Sequence, residues 1–319
     1  MRNYILRRLI ILIPIMVGVS FLTFAMFRMI PGDAAVLRCQ LGCTPEILED
    51  LRHEMGLDRP WYVQYGDWVW DIVRHGDLGS SLTESRLPVT TELDRRLPIT
   101  MELMVMTVFM ALLLGIPPGV ISAIRPGTPL DWLARMGSVL WLSVPSFWLG
   151  ILVIAFGVSW FGWTPPQFGR GYVPFLDDPW VNIQQFFFPS LVLALAIAAA
   201  IMRLTRSSLL EVLRNDYIRT AWAKGLRERT VVMRHALKNA LIPVLTIVGL
   251  QVGALIGGSV IIEVVFNLNG VGKYVLEAIL RRDFFVVQSL VLLFAAAYVV
   301  ANLIVDVAYG WLDPRIRYG

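Results

Sequence analysis

The chain has 319 residues, of which 56% are hydrophobic and 16% charged, with a formal net charge of +4. So few charges could not cover that much apolar surface in a soluble domain, which excludes a soluble enzyme, a disordered chain and a nucleic-acid-binding domain. With a mean hydropathy of +0.64, the composition is that of an all-α integral membrane protein.

A helical crossing of a bilayer takes about 20 apolar residues. Runs free of Asp, Glu, Lys and Arg fall at Leu9–Phe27, Leu103–Ile124, Met136–Phe168, Pro179–Met202, Asn239–Ile262 and Phe284–Val305. The first follows Arg2, Arg7 and Arg8, is too long for the core of a signal peptide and lacks an Ala-x-Ala site, so it is read as a retained span. Pro31-Gly32-Asp33 reads as its stop. The region Gly32–Pro98 is too long for a plain connection. Within it Glu46–Met55 and Tyr62–Arg74 read as short amphipathic helices, broken by Gly56, Pro60 and Gly76. Trp61, Tyr62, Tyr65, Trp68 and Trp70 suit a headgroup boundary, as a cap on the bundle or a docking surface for an outside partner. Cys39 and Cys43 are the only cysteines and are close enough in sequence for a local disulfide; with His53 and His75 they make only a weak metal signal.

The third run contains Gly162, Trp163 and Pro165–Pro166, so its span is placed at Met136–Phe161. Pro14, Pro117–Pro118, Pro145 and Pro243 interrupt the spans, and Gly253-x3-Gly257 offers a small-residue face for helix packing within or between chains. Glu102, Glu263 and Asp306 lie near span ends, where water can reach them, which argues against a proton relay.

Six spans put both termini on one side. The segment Arg203–Leu241 carries nine Lys/Arg against three acidic residues, whereas Gly32–Pro98 carries seven against twelve. The positive-inside rule then makes both termini and the 203–241 loop cytoplasmic. The expected organisation is an N-terminal end and first span over 1–31, an extracytoplasmic region over 32–98, a core of spans two to six over 99–310, and a cytoplasmic tail over 311–319.

The 203–241 loop carries the most information. Asn215 or Asp216 can cap a helix over Tyr217–Lys224, and Gly225 can take the left-handed position that ends it. Ile218, Ala221 and Trp222 share one side by their spacing, and Arg219 and Lys224 supply charge. Two turns are too short to be stable alone, so the apolar side is expected to fit a cleft in another protein. The chain has no G-x-x-x-x-G-K-[ST] phosphate cradle, no nucleophilic triad and no clustered metal ligands. It reads as a non-catalytic subunit without a cofactor of its own, driven from outside.

RTAWAKG at Arg219–Gly225, continuing through RHALKNALIPV at Arg234–Val244, resembles the cytoplasmic signature of binding-protein-dependent ABC importer permeases of the peptide/nickel group. The resemblance extends to YILRRLILIPI at Tyr4–Ile15, FRMIPGD at Phe27–Asp33, GDLGSS at Gly76–Ser81 and RLTRSSLLEVLRNDYIRTAWAKGL at Arg203–Leu226. FNLNGVGK at Phe266–Lys273, RRDFFVVQ at Arg281–Gln288 and WLDPRIR at Trp311–Arg317 complete it. It implies a type I importer permease in a bacterial or archaeal plasma membrane. Its partners would be membrane lipid, a second homologous permease, two cytoplasmic P-loop ATPases holding ATP and Mg2+, and an extracytoplasmic substrate-binding protein, with no nucleic acid. The short inner helix would be the coupling helix, with Glu211, Asp216, Tyr217, Ile218, Arg219, Ala221, Trp222 and Gly225 in the ATPase-docking segment. Arg219 and Thr220 depart from the broadest importer signature, which often has Glu and Ala there, in a way that suits the peptide/nickel branch. The cargo implied is dipeptides or oligopeptides, with nickel chelates, glutathione-like peptides and oligosaccharides as alternatives. A self-contained channel or secondary transporter, or a non-transporting scaffold, are the readings of another class.

Overall fold

The structure, a computed structural model, describes residues 2–29, 35–36, 44–82 and 87–312, with side chains given for those between 10 and 304 other than 168 and 170. The expected stop at Pro31-Gly32-Asp33, the Cys39/Cys43 pairing and the tail beyond Leu312 lie outside the described residues, as does the side chain of Asp306.

The described residues are helical almost throughout. In chain order the helices of eight residues or more are α1 (Arg2–Met29), α2 (Pro45–Glu54), α3 (Trp61–His75), α4 (Val89–Ile124), α5 (Pro129–Ser143), α6 (Ser146–Phe161), α7 (Pro179–Leu213), α8 (Asp216–Ala223), α9 (Glu228–Val265), α10 (Val271–Leu280) and α11 (Phe284–Leu312). Five of them, α1, α4, α7, α9 and α11, are long and apolar enough to cross a membrane. Helices α5 and α6 pass that test only together and meet at an angle of 99°. Counting this bent pair as one crossing gives the six expected from sequence. The third span is nevertheless not the single helix expected over Met136–Phe161. Pro145 bars the residue before it from helical backbone, and Val144 is extended at φ −95°, ψ 121°. Pro14, Pro117–Pro118 and Pro243, which also read as interruptions, instead lie inside continuous helices. Gly162, with φ +60°, ends α6 at Phe161 as its sequence position implies.

The chain forms two compact units. One is built mainly on Met101–Leu268. Here α4 and α7 approach so closely that a Cβ on Gly115 would meet the Ala198 carbonyl oxygen at 2.8 Å, and one on Gly119 the Met202 carbonyl oxygen at 2.8 Å. In the Gly253-x3-Gly257 pair, Gly253 is buried, but a Cβ at Gly257 would meet nothing within 4 Å of this chain. At the Glu102 end of this unit a polar network ties the 171–173 segment to α4 and α7. Glu102 accepts from the Tyr172 hydroxyl at 3.1 Å and from Asn182 Nδ2 at 2.7 Å, while Gln185 bonds the backbone of Gly171 and Val173. Burial, with the Glu102 carboxylate next to it, pushes the Tyr172 phenol up to about 12, so it stays a donor. Glu263 is fully buried, contrary to the solvated position expected at a span end.

The other unit comprises Leu6–Thr100 and Asn269–Val299. Helices α2 and α3 form close to their expected limits, and Gly56 and Gly76 take left-handed backbone at φ +64° and +65° where those helices end. Helix α3 lies along α1: the Tyr65 and Ser20 hydroxyls hydrogen-bond at 2.9 Å, Tyr65 meets Phe21 edge-on, and Trp68 stacks on Phe24. Two of the five aromatics, Tyr65 and Trp68, thus pack on α1, while Trp61, Tyr62 and Trp70 stay exposed. The GDLGSS segment is held by the other end of the unit. Asp283, 1% exposed, accepts from the Ser81 hydroxyl at 2.6 Å and the Leu82 N–H at 2.9 Å, and the Ser289 hydroxyl donates to the Leu78 carbonyl. Arg96 bridges Glu92 and Glu277 and lies 4.5 Å from the Tyr274 ring centroid.

Candidate coupling segment

Two residues, Arg214 and Asn215, separate α7 from α8, and four, Lys224–Arg227, separate α8 from α9. Asn215 stands at the N-cap with extended backbone but makes no capping bond through its side chain. Its carbonyl closes the first turn instead, accepting from the Ile218 and Arg219 N–H groups at 3.0 and 3.3 Å. Asp216 turns outward to Arg219 at 3.4 Å, so neither residue expected to cap by its side chain does so. The other end forms as its sequence implies. Gly225 has φ +75°, and the Leu226 N–H reaches back to the Ala221 carbonyl at 3.4 Å. A β-carbon is strained in that backbone conformation, which is why Gly occupies it.

The two faces of α8 differ sharply. Ile218 is fully buried and Ala221 nearly so, in a cluster with Ala123, Leu209, Val231, Val232, Ala236 and Ala240. Residues of α4, α7, α8 and α9 therefore meet in one small core. This corrects the expectation that Ile218, Ala221 and Trp222 form a single side offered to another protein: two of the three are covered by this chain. Trp222 and Tyr217 remain 45% and 44% exposed, alongside exposed Asp216, Arg219 and Gly225, with Glu211 exposed in the last turns of α7. The Tyr217 hydroxyl is fixed by Asn239 Nδ2 at 2.9 Å. The residues read from sequence are thus brought together, with Ile218 and Ala221 turned inward and the others exposed.

Beneath the segment, α9 opens into a π-helical stretch over Val231–Ala236, with Val231, Val232 and Ala236 buried against α8. Such stretches insert an extra residue per turn and recur at functional positions. No periodicity in the sequence announces it.

Sequence reading also missed a buried ion pair one turn further along α7. Asp131, 1% exposed, accepts from Arg206 Nε at 2.9 Å and Nη2 at 3.1 Å, from the Gly127 N–H at 2.9 Å, and from the Ser122 hydroxyl. The carboxylate thereby joins the ends of α4 and α5 to α7. A signal was present: Thr128-Pro-Leu-Asp131 has the spacing of a helix-capping box, and the Thr128 hydroxyl oxygen does accept from the Asp131 N–H at 3.4 Å.

A small helix with a buried inner face and an exposed aromatic and charged outer face can receive a push and pass it to the helices that hold it. It offers no chemistry. Among the described residues no group of His, Cys, Asp or Glu is placed to hold a metal ion.

Residues 115–318 match the family described as binding-protein-dependent transport system inner membrane component, and residues 1–104 match the N-terminal component of the same systems. The chain belongs to this family. The dipeptide transport system permease protein DppB of Alkalihalophilus pseudofirmus is 39% identical over 336 residues, which span all of both chains. The protein of the same name from Escherichia coli K12 is 40% identical over 339 residues, spanning all of this chain and 99% of that one. Among solved structures, the MetNI methionine ABC transporter in inward-facing form shares the fold, with a TM-score of 0.52 at 20% identity over 70% of this chain and 96% of the other. This chain is therefore a multi-pass ABC importer permease of the peptide/nickel type, and the resemblance carried by its loop motifs holds over its whole length. In the permease, α8 presents an exposed face of aromatic and charged side chains.

Proposed function

We propose that this permease carries dipeptides or oligopeptides into the cytoplasm, receiving them from an extracytoplasmic binding protein and drawing its energy from two cytoplasmic ATPases. It would work paired with a second permease in a bacterial or archaeal inner membrane, with both termini and the 203–241 loop on the cytoplasmic side. The dipeptide permeases that match it from end to end support the cargo, and the charge asymmetry of its loops supports the orientation.

The observation that carries the mechanism is the two-faced α8. Tyr217, Arg219, Trp222 and Gly225, with Asp216 and Glu211 flanking, form the ATPase-docking face, while Ile218 and Ala221 anchor the helix to its own bundle. ATP-driven closure of the ATPase pair shifts α8, and the spans follow. The equilibrium between inward- and outward-facing states moves only by the difference in ATPase affinity for the two.

The test is reconstitution of the full complex in vesicles, reading peptide uptake and peptide-stimulated ATP hydrolysis together. An exposed Trp on such a face is a typical hot spot, so Trp222→Ala is expected to weaken ATPase association about tenfold, or roughly 1.4 kcal/mol, without lowering the melting temperature. Gly225→Val forces a β-branched residue into left-handed backbone at a cost of about 1–2 kcal/mol. It is expected to lower uptake more than hydrolysis, which is loss of coupling. Unchanged uptake in both variants would remove α8 from the drive. Peptide flux that persists after the ATP sites are disabled would replace the importer reading with a self-contained transporter.

A further inference from the structure

The unit of Leu6–Thr100 and Asn269–Val299 carries an open cavity of about 280 Å³ that the transport cycle above does not use. Among the described residues, two groups on its wall have no hydrogen-bond or ion-pair partner. Gln288, the last residue of the RRDFFVVQ motif, is only 6% exposed, and its side-chain amide makes no hydrogen bond. Arg28, next to last in α1, lies 5.0 Å from the Phe24 ring centroid and, among the described residues, has no carboxylate within ion-pair distance. Both can donate N–H groups to an oxyanion.

The same cavity is lined by carboxylates. Asp67 and Asp71 are four apart on α3 and so share a face. Asp67 gives one oxygen to Arg59 at 3.2 Å and Asp71 one to His75 at 3.2 Å, which leaves each a second oxygen to accept from a ligand. A cation without its anion and two half-used carboxylates, in a space too small for a drug-sized molecule, call for a small ligand bearing both charges.

We infer that this cavity binds a zwitterion, with an oxyanion held by Arg28 and the Gln288 amide and a primary ammonium held by Asp67 and Asp71. Two sources carry that chemistry: the headgroup of phosphatidylethanolamine and the two termini of a short peptide. Arg28 ends a membrane-spanning helix, where headgroups lie, and a headgroup would reach the cavity from the bilayer. The site stands on the cavity alone, and only the peptide source rests on the proposed function. A choline headgroup is a poor ligand in either case, since its quaternary nitrogen has no N–H to donate to Asp67 or Asp71.

The experiment uses the full complex in nanodiscs of mixed phosphatidylethanolamine and phosphatidylcholine, with retained lipid read by native mass spectrometry, and labelled dialanine binding measured in nanodiscs of phosphatidylcholine alone. One of two results is expected. Preferential retention of phosphatidylethanolamine, reduced about tenfold by Arg28→Gln or Gln288→Leu, identifies the lipid. Dialanine binding reduced by the same variants identifies the peptide. Asp71→Asn, at an exposed position, tests the ammonium side without threatening the fold and should erase the preference over choline. Equal retention of the two lipids with dialanine binding indifferent to all three variants overturns the site. Dialanine uptake by the unmodified complex, followed in parallel, would survive that result and keeps the two readings separate.

Discussion

Asp131→Ala lowers the melting temperature of the purified complex by about 6–20 °C. The carboxylate is 1% exposed and meets Arg206 through two hydrogen bonds, with the Gly127 N–H and the Ser122 hydroxyl as further donors. Its removal leaves a guanidinium that is itself only 23% exposed without its anion. Breaking a buried pair from one side costs about 3–5 kcal/mol, because the surviving charge is no longer compensated. At about 2–4 °C per kcal/mol for a domain of this size, the shift follows. Asp131→Asn keeps an acceptor for Gly127 and Ser122 and should lose less. The double variant Asp131→Ala with Arg206→Leu removes both charges and should recover much of the loss. A single variant that melts with the unmodified protein would show that the pair holds nothing together.

Gly119→Val is expected to be as damaging, by a steric route. A Cβ at Gly119 would lie 2.8 Å from the Met202 carbonyl oxygen and 2.8 Å from Thr205 Cβ. Backbone oxygen cannot swing aside as a side chain can, so α4 and α7 must separate along their contact. Overpacking of this kind costs about 1–3 kcal/mol in ordinary cores, and a rigid backbone neighbour puts this site at the upper end. Thermal unfolding of the purified complex and the yield of assembled complex both read it. Gly18→Ala is the control, since a Cβ there meets nothing within 4 Å. Gly257→Ala, equally open in this chain, reports on another chain: a loss there would place a partner against α9. If Gly119→Val melts normally, the close approach of α4 to α7 is refuted.

These two sites mark where the sequence was and was not sufficient. The apolar runs located the crossings, because about 20 residues of unbroken hydropathy have few other uses. Gly56, Gly76, Gly162 and Gly225 marked helix ends correctly, because left-handed backbone all but requires glycine. Proline was a poorer guide. Pro117–Pro118 and Pro243 sit in unbroken helices while Pro145 divides a span, and the difference lies in what surrounds each rather than in the residue. The same holds for Gly-x3-Gly. Gly115 and Gly119 both make the tight contact while Gly257 stands open in this chain, and helical phase, invisible in one sequence, decides between them. For α8, spacing put Ile218, Ala221 and Trp222 on one side but could not tell that the chain would bury two of them itself. That partition depends on α7 and α9 converging on the loop, which is tertiary information. The Asp131–Arg206 pair joins residues 75 apart, beyond the reach of any local pattern.

The shortness of the links around α8 has a mechanical meaning. Two residues before it and four after leave almost no slack. The buried Ile218 also pins the helix laterally to α4, α7 and α9. A displacement imposed on the outer face therefore cannot be lost in stretching a tether, and must reappear at nearly full size in the membrane helices. Lengthening either link by a few glycines would let hydrolysis run with little stroke delivered, turning a tight gear into a slipping one while every contact stayed in place.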